Sequence, residues 1–117
     1  MKLYGIPNCN TVKKARTWLS EQGQTVEFHD FKKHGLPEAL LRIWVKQVGW
    51  AKLVNRQGTT WRQLPDDIKN SIDNEAAAIQ LMLEKTSVIK RPVLEVNGKI
   101  TVGFDETAYT EMLSHPH

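Results

Sequence analysis

The sequence predicts a mixed α/β fold in which a β-α-β half and a β-β-α half flank a helical insertion. Three observations lead there. An apolar strand-like run at the start changes to helical spacing after Cys9 and then returns to alternation. The middle of the chain, from about residue 36 to 85, repeats at helical spacing between turn-rich breaks. Near the end, Asn97-Gly98 separates two apolar runs, the strongest short hairpin signal.

Each element follows from its residues. "KLYGI" is rich in β-formers and is ended by Gly5 and Pro7. Val12, Ala15 and Leu19 then share one helical face, and Gly23 stops the pattern. "TVEFHDF" reads as a second strand, parallel to the first through a right-handed crossover. In "LPEALLRIWVKQVG" the expected buried stripe is Leu40, Ile43, Trp44 and Val48, closing at Gly49. Pro65 suits the first turn of a helix over "LPDDIKNSI". Asp73 and Asn74 are candidate caps for a helix repeating at Ala76, Ile79, Met82 and Leu83. "PVLEV" and "KITVGF" form the hairpin, and Asp105 caps a last helix carrying Ala108, Met112 and Leu113. With no repeat, low-complexity tract or linker, residues 1–117 read as one domain with a helical insertion at about 36–88.

Composition narrows the function classes. The 117 residues carry a net charge of +3 with basic residues dispersed, so no nucleic-acid tail is expected. No apolar run nears the roughly 18–20 residues of a membrane span, and the start is too weakly apolar for a signal peptide. The single cysteine forms no internal disulfide, which suits a reducing, cytoplasmic setting.

The β-α-β/β-β-α order is that of a thioredoxin-like (glutaredoxin-like) core. In that frame the first strand-to-helix turn, "LYGIPNCNTVKKARTWL", is an anion site: first-turn N–H groups of Asn10, Thr11 and Val12 point outward, and the helix dipole adds positive potential. Cys9 at that point should have its thiolate favoured. Lys13 and Lys14 oppose helix stability there yet favour a nearby anion. Arg91 precedes Pro92 and is therefore held extended. With Pro92 cis and facing the active-site turn, as in thioredoxin-like cores, the Arg91 guanidinium fork would hold a thiolate or oxyanion. Arg56 in "NRQGTTWRQL" is a loop charge with the reach to serve an anion near Cys9.

The histidines offer less. His29 falls on a strand, His34 in a loop, and His115 and His117 in the tail, with no metal-ligand spacing, so no metal site is expected. Trp18, Trp44, Trp50 and Trp61 read as packing residues.

Taken together, "YGIPNCNTVKKARTWL", "LVNRQGTTWRQL" and "VIKRPVLEVNGKITVGFDE" resemble the ArsC/Spx family, in its small YffB-like subgroup, over essentially the whole chain. The resemblance implies a thioredoxin-like fold with a helical insertion and a catalytic cysteine in the first loop. Arsenate reductases of the family use that cysteine with glutathione and glutaredoxin. Its Spx members bind RNA polymerase and sense oxidation through a cysteine pair. Here Gly5 stands where the arsenate reductases carry histidine and Val12 where they carry serine. Asn55, with Arg56 beside it, and Gly103 align with two of their arginines. These departures argue against arsenate, and Val12 in place of a second cysteine removes an internal disulfide switch.

The expected activity is a glutathione-dependent monothiol oxidoreductase. Cys9 is the nucleophile, and the resolving thiol comes from glutathione or another small thiol, with glutaredoxin as a candidate partner. Arg91 and Lys13 stabilise the thiolate and orient carboxylates, Asn10 and Thr11 supply N–H groups, and Pro92 shapes the groove. The alternatives are an Spx-like regulator contacting transcription machinery and a weak arsenate reductase.

Overall fold

A computed structural model describes residues 1–114, so His115 and His117 lie outside the described residues. In chain order the elements are β1 (Lys2–Gly5), α1 (Asn10–Glu21), β2 (Glu27–Asp30), α2 (Phe31–His34), α3 (Glu38–Val48), α4 (Trp50–Leu53), α5 (Thr59–Arg62), α6 (Asp66–Ser71) and α7 (Glu75–Glu84). A 3-10 turn (Thr86–Val88) leads to β3 (Val93–Val96), β4 (Lys99–Val102) and α8 (Glu106–Ser114). The chain forms two compact units: Met1–His34 with Arg91–His117, and Gly35–Lys90.

The first unit is built on a four-stranded sheet of order β2-β1-β3-β4. β1 and β2 are parallel, whereas β3 is antiparallel to both of its neighbours. The register pairs Leu3 with Leu94 and with Phe28, putting all three on one face. Ala15 and Leu19 of α1 and Tyr109 of α8 join Leu3, Leu94 and Val96 in one buried cluster. At about 25 cal/mol per Å² of apolar surface, clusters of this kind supply most of the drive to fold.

Local chemistry ends each element where the sequence requires. α1 closes in a Schellman motif: the Gln24 N–H reaches the Leu19 carbonyl at 3.0 Å and the Gly23 N–H the Ser20 carbonyl at 3.0 Å. Gly23 supplies the left-handed φ of 73° that this motif needs. The β3–β4 loop has φ 51° at Asn97 and 86° at Gly98, the double left-handed geometry of a type I′ turn. Asp105 caps α8 by accepting from the Thr107 N–H at 3.2 Å.

One strand is shorter than "TVEFHDF" suggests. Asp30 Oδ1 accepts from the N–H groups of Lys32 and Lys33, each at 3.0 Å, and this turns the chain into α2. Phe31 and His34 are therefore helical rather than in a strand or loop.

The second unit is helical, and its buried stripes differ from the expected ones. α3 buries Leu41, Trp44 and Val45, while Ile43 is 51% exposed. α7 buries Ala78, Ile79, Leu81 and Met82, with Ala76 exposed. Both helices carry adjacent apolar pairs, so two stripes one position apart fit the same period. Asn74 is the α7 cap, accepting from the Ala77 N–H at 2.9 Å, and Pro65 sits just before α6 rather than inside it.

A further tie bears on the site. The Gly103 N–H donates to the Pro92 carbonyl at 2.7 Å, and the Tyr109 hydroxyl donates to the Gly103 carbonyl at 2.8 Å. Tyr109 is fully buried, and burial raises its phenol pKa far above the ordinary value. Tyr109→Phe should strand that carbonyl and lower stability by about 1–3 kcal/mol. Urea denaturation of the variant against the wild type measures the loss.

Candidate functional site at the β1–α1 junction

β1 ends at Gly5, and the chain reverses over Pro7 and Asn8, closed by the Cys9 N–H to the Ile6 carbonyl at 3.2 Å. Proline at the second position of such a turn presets its φ. Cys9 then stands at the N-cap of α1 with extended backbone (φ −95°, ψ 126°), and its carbonyl accepts the Lys13 N–H at 3.0 Å. The thiol is half-buried and free.

From across the sheet comes Arg91, half-buried, in a cis peptide with the buried Pro92. The antiparallel register ends at Tyr4 opposite Val93, so the next residues of the two strands meet at the turn that holds Cys9. Burial pushes the Cys9 thiol up, but the Val12 N–H, the Arg91 guanidinium and the Thr11 N–H outweigh it. The net result is a thiol pKa below the ordinary value, hence a larger thiolate fraction at neutral pH.

Cys9, Thr11, Val12 and Arg91 are thus brought together. Asn10 opens the helix as an exposed residue, and the N–H groups acting on the sulfur are those of Val12 and Thr11. Lys13 is exposed one turn on. Arg56 belongs to the helical unit, where its guanidinium lies over the rings of Trp50 and Trp61 at 5.8 and 5.5 Å. Among the described residues no group of three or more His, Cys, Asp or Glu side chains could hold a metal ion. No helix among them is long and apolar enough to cross a membrane.

The tie from Pro92 through Gly103 to Tyr109 was not legible beforehand. A glycine directly after β4 in "VGFD" was its one available signal, since Gly103 takes φ 85°. A second hidden contact joins Gly5 and Val12. A Cβ on Gly5 would stand 2.8 Å from Val12 Cγ2 and 3.7 Å from Phe28 Cε1. The two departures from the arsenate-reducing pattern therefore touch each other.

A parallel/antiparallel four-stranded sheet, with a cysteine at the start of its first helix and a cis-proline beside it, is the arrangement of a thioredoxin-like protein. An ArsC family profile matches residues 4–112, and the chain belongs to the ArsC family. A solved protein named YFFB is 49% identical, with a TM-score of 0.90, covering 96% of this chain and 97% of its own. A solution structure of an arsenate reductase (ArsC) related protein from Brucella melitensis is 46% identical, with a TM-score of 0.76, covering 97% and 94%. An uncharacterized Haemophilus influenzae protein is 41% identical over 107 residues, 92% of this chain and 93% of that one.

Two outcomes are expected. Arg91→Ala should raise the pH midpoint of Cys9 alkylation and slow the reaction at neutral pH, as read by iodoacetamide rates. Because the folded-state thiol pKa lies below that of the unfolded chain, the unfolded state binds more protons between the two values. The wild type should therefore gain stability over Cys9→Ser as pH rises through that window and lose the advantage as pH falls through the folded pKa. Separately, Gly5→Ala should cost about 1–3 kcal/mol by overpacking against Val12. Gly5→Ala with Val12→Ala should cost less than the sum of the two single changes, a coupling measured by a double-mutant cycle.

Proposed function

We propose that this protein is a glutathione-dependent monothiol oxidoreductase working in a reducing compartment such as the cytoplasm. The observation that carries the reading is the placement of its one cysteine. Cys9 sits at a helix start with first-turn N–H groups and the Arg91 guanidinium favouring its anion. ArsC family membership, with its link to thiol redox chemistry, supports the same direction.

In the proposed reaction the Cys9 thiolate attacks one sulfur of a disulfide. A Cys9 mixed disulfide forms, and the other sulfur leaves as a thiolate with the bonding pair. With no second cysteine in the chain, resolution falls to an external thiol. Glutathione attacks the mixed disulfide and restores the Cys9 thiolate, with glutaredoxin as a candidate recycling partner. Arg91 and Lys13 stabilise the thiolate and orient the glutathione carboxylates, and Asn10 and Thr11 contribute first-turn N–H groups. Pro92 forms the wall of the groove. Arsenate is disfavoured by Gly5 and Val12, which stand where the resemblance places a histidine and a serine in arsenate reductases.

The test is direct. Incubation with glutathione disulfide should add one glutathionyl group to the wild type by mass spectrometry, and excess glutathione should remove it. Reduction of 2-hydroxyethyl disulfide by glutathione should vanish in Cys9→Ser. A Cys9→Ser variant that holds a stable protein partner from lysate, beside a wild type with no glutathione-linked turnover, would favour the regulatory reading instead.

A further inference from the structure

α1 carries its charges in the order least favourable to a helix. Its first turn has no acidic residue and its last turn no basic one; Lys13 and Lys14 lie near the start and Glu21 is the last residue. Against the helix dipole, each misplaced charge costs roughly 0.3–1 kcal/mol. An anionic Cys9 accounts for lysines near the start. It does not account for a glutamate at the far end.

The charges border an open groove of about 470 Å³, within the range of ligand sites. Its floor is apolar: Trp18 and Phe104 are both half-buried, with ring centroids 6.2 Å apart. Thr17 lines one side. Along α1, Lys13 and Lys14 border the groove nearer Cys9 and Glu21 borders it at the far end, while Glu106 stands beside Trp18. Glu106 also accepts from the Trp18 indole N–H at 3.0 Å, which fixes the ring. So, along α1 from its start, the groove presents cations, then an aromatic strip, then the Glu21 carboxylate.

Spacing gives this order a length scale. At 1.5 Å per residue, Lys14 lies roughly 7–8 Å along the axis from Cys9, Trp18 roughly 13 Å and Glu21 roughly 18 Å. An extended peptide advances about 3.3 Å per residue. Glutathione alone has carboxylates for the lysines but no apolar side chain for Trp18 and Phe104.

We propose that this groove binds the polypeptide part of a glutathionylated protein or peptide cysteine in extended form. Its cysteine would be followed or preceded by a carboxylate at about two residues, an apolar side chain at about four and a cation at about five or six. This rests on the thiol-reductase reading and names its substrate class. The Cys9 thiolate attacks the glutathionyl sulfur, the Cys9–glutathione disulfide forms, and the substrate S–S bond breaks. The substrate cysteine leaves as a thiolate with the bonding pair and is protonated by solvent. A second glutathione thiolate then attacks the Cys9-bound glutathionyl sulfur, releasing glutathione disulfide and Cys9 thiolate.

The test uses the full chain and glutathionylated peptides with the matched charge order, in both chain directions, and with the order swapped. With one matched direction, KM should be about fivefold or more below that for its swapped partner, the effect of about 1 kcal/mol in surface pairing. Glu21→Lys should abolish the preference for a cation at the far position while leaving turnover of 2-hydroxyethyl disulfide unchanged. In parallel, peptides with serine for cysteine are titrated against the Trp18 indole NMR signal, assigned with Trp18→Phe. A saturating shift with the matched peptide, weaker with the swapped one, is expected. Equal KM for all peptides, or no shift of the indole, overturns the proposal while preserved 2-hydroxyethyl disulfide activity keeps the reductase reading. Loss of that activity in the wild type sinks the reductase reading, and the indole titration still decides the groove.

Discussion

The antiparallel pairing of β1 with β3 is the constraint on which the site depends. Cys9 and Arg91 are far apart in sequence, and neither could act on the other without it. Pairing Lys2 with Glu95, Leu3 with Leu94 and Tyr4 with Val93 fixes where the two strands end. It therefore fixes the meeting of the Ile6–Cys9 turn with the Arg91–Pro92 segment. The same pairing puts Leu3 and Leu94 on the face covered by α1 and α8, so packing and chemistry share one register. A slip by one residue would turn Leu3 and Leu94 away from that core. The site is thus held in place by the core beneath it.

Much of this could be read from the residues alone. Gly23, Asn97-Gly98, Asn74 and Asp105 each end or start an element through backbone chemistry that few other residues supply. The sequence position of Cys9, after Pro7 and before a helical period, likewise pointed to its N-cap geometry. What stayed hidden has a common physical character. Trp44, Ile79 and Met82 were placed correctly in the buried stripes, but Leu40 and Ile43 stood in for Leu41 and Val45 because Leu40-Leu41 and Trp44-Val45 allow two helical faces, and only tertiary packing chooses between them. Phe31 was read as a strand residue because the bonds from the Asp30 carboxylate to two later N–H groups leave no periodic trace. Tyr109 was overlooked as core because a phenol can face either water or a buried carbonyl.

The thiol site and the groove along α1 also show how one helix answers two demands. Its buried face, Val12, Ala15 and Leu19, is conventional and secures the unit. Its exposed charges run against the dipole, a cost the apolar face is able to absorb. The exposed face is free to carry such charges because stability is supplied by the buried one.

The contact between Gly5 and Val12 carries a historical consequence. With a Cβ at residue 5 only 2.8 Å from a Val12 methyl, a larger side chain at residue 5 is penalised while valine remains at 12. A smaller residue at 12 lowers that penalty before residue 5 grows. A lineage moving between a histidine-serine and a glycine-valine arrangement would then have an ordered route, with a small residue at both positions as its midpoint. Packing thus sets the order of the two changes, whichever way such a lineage travels.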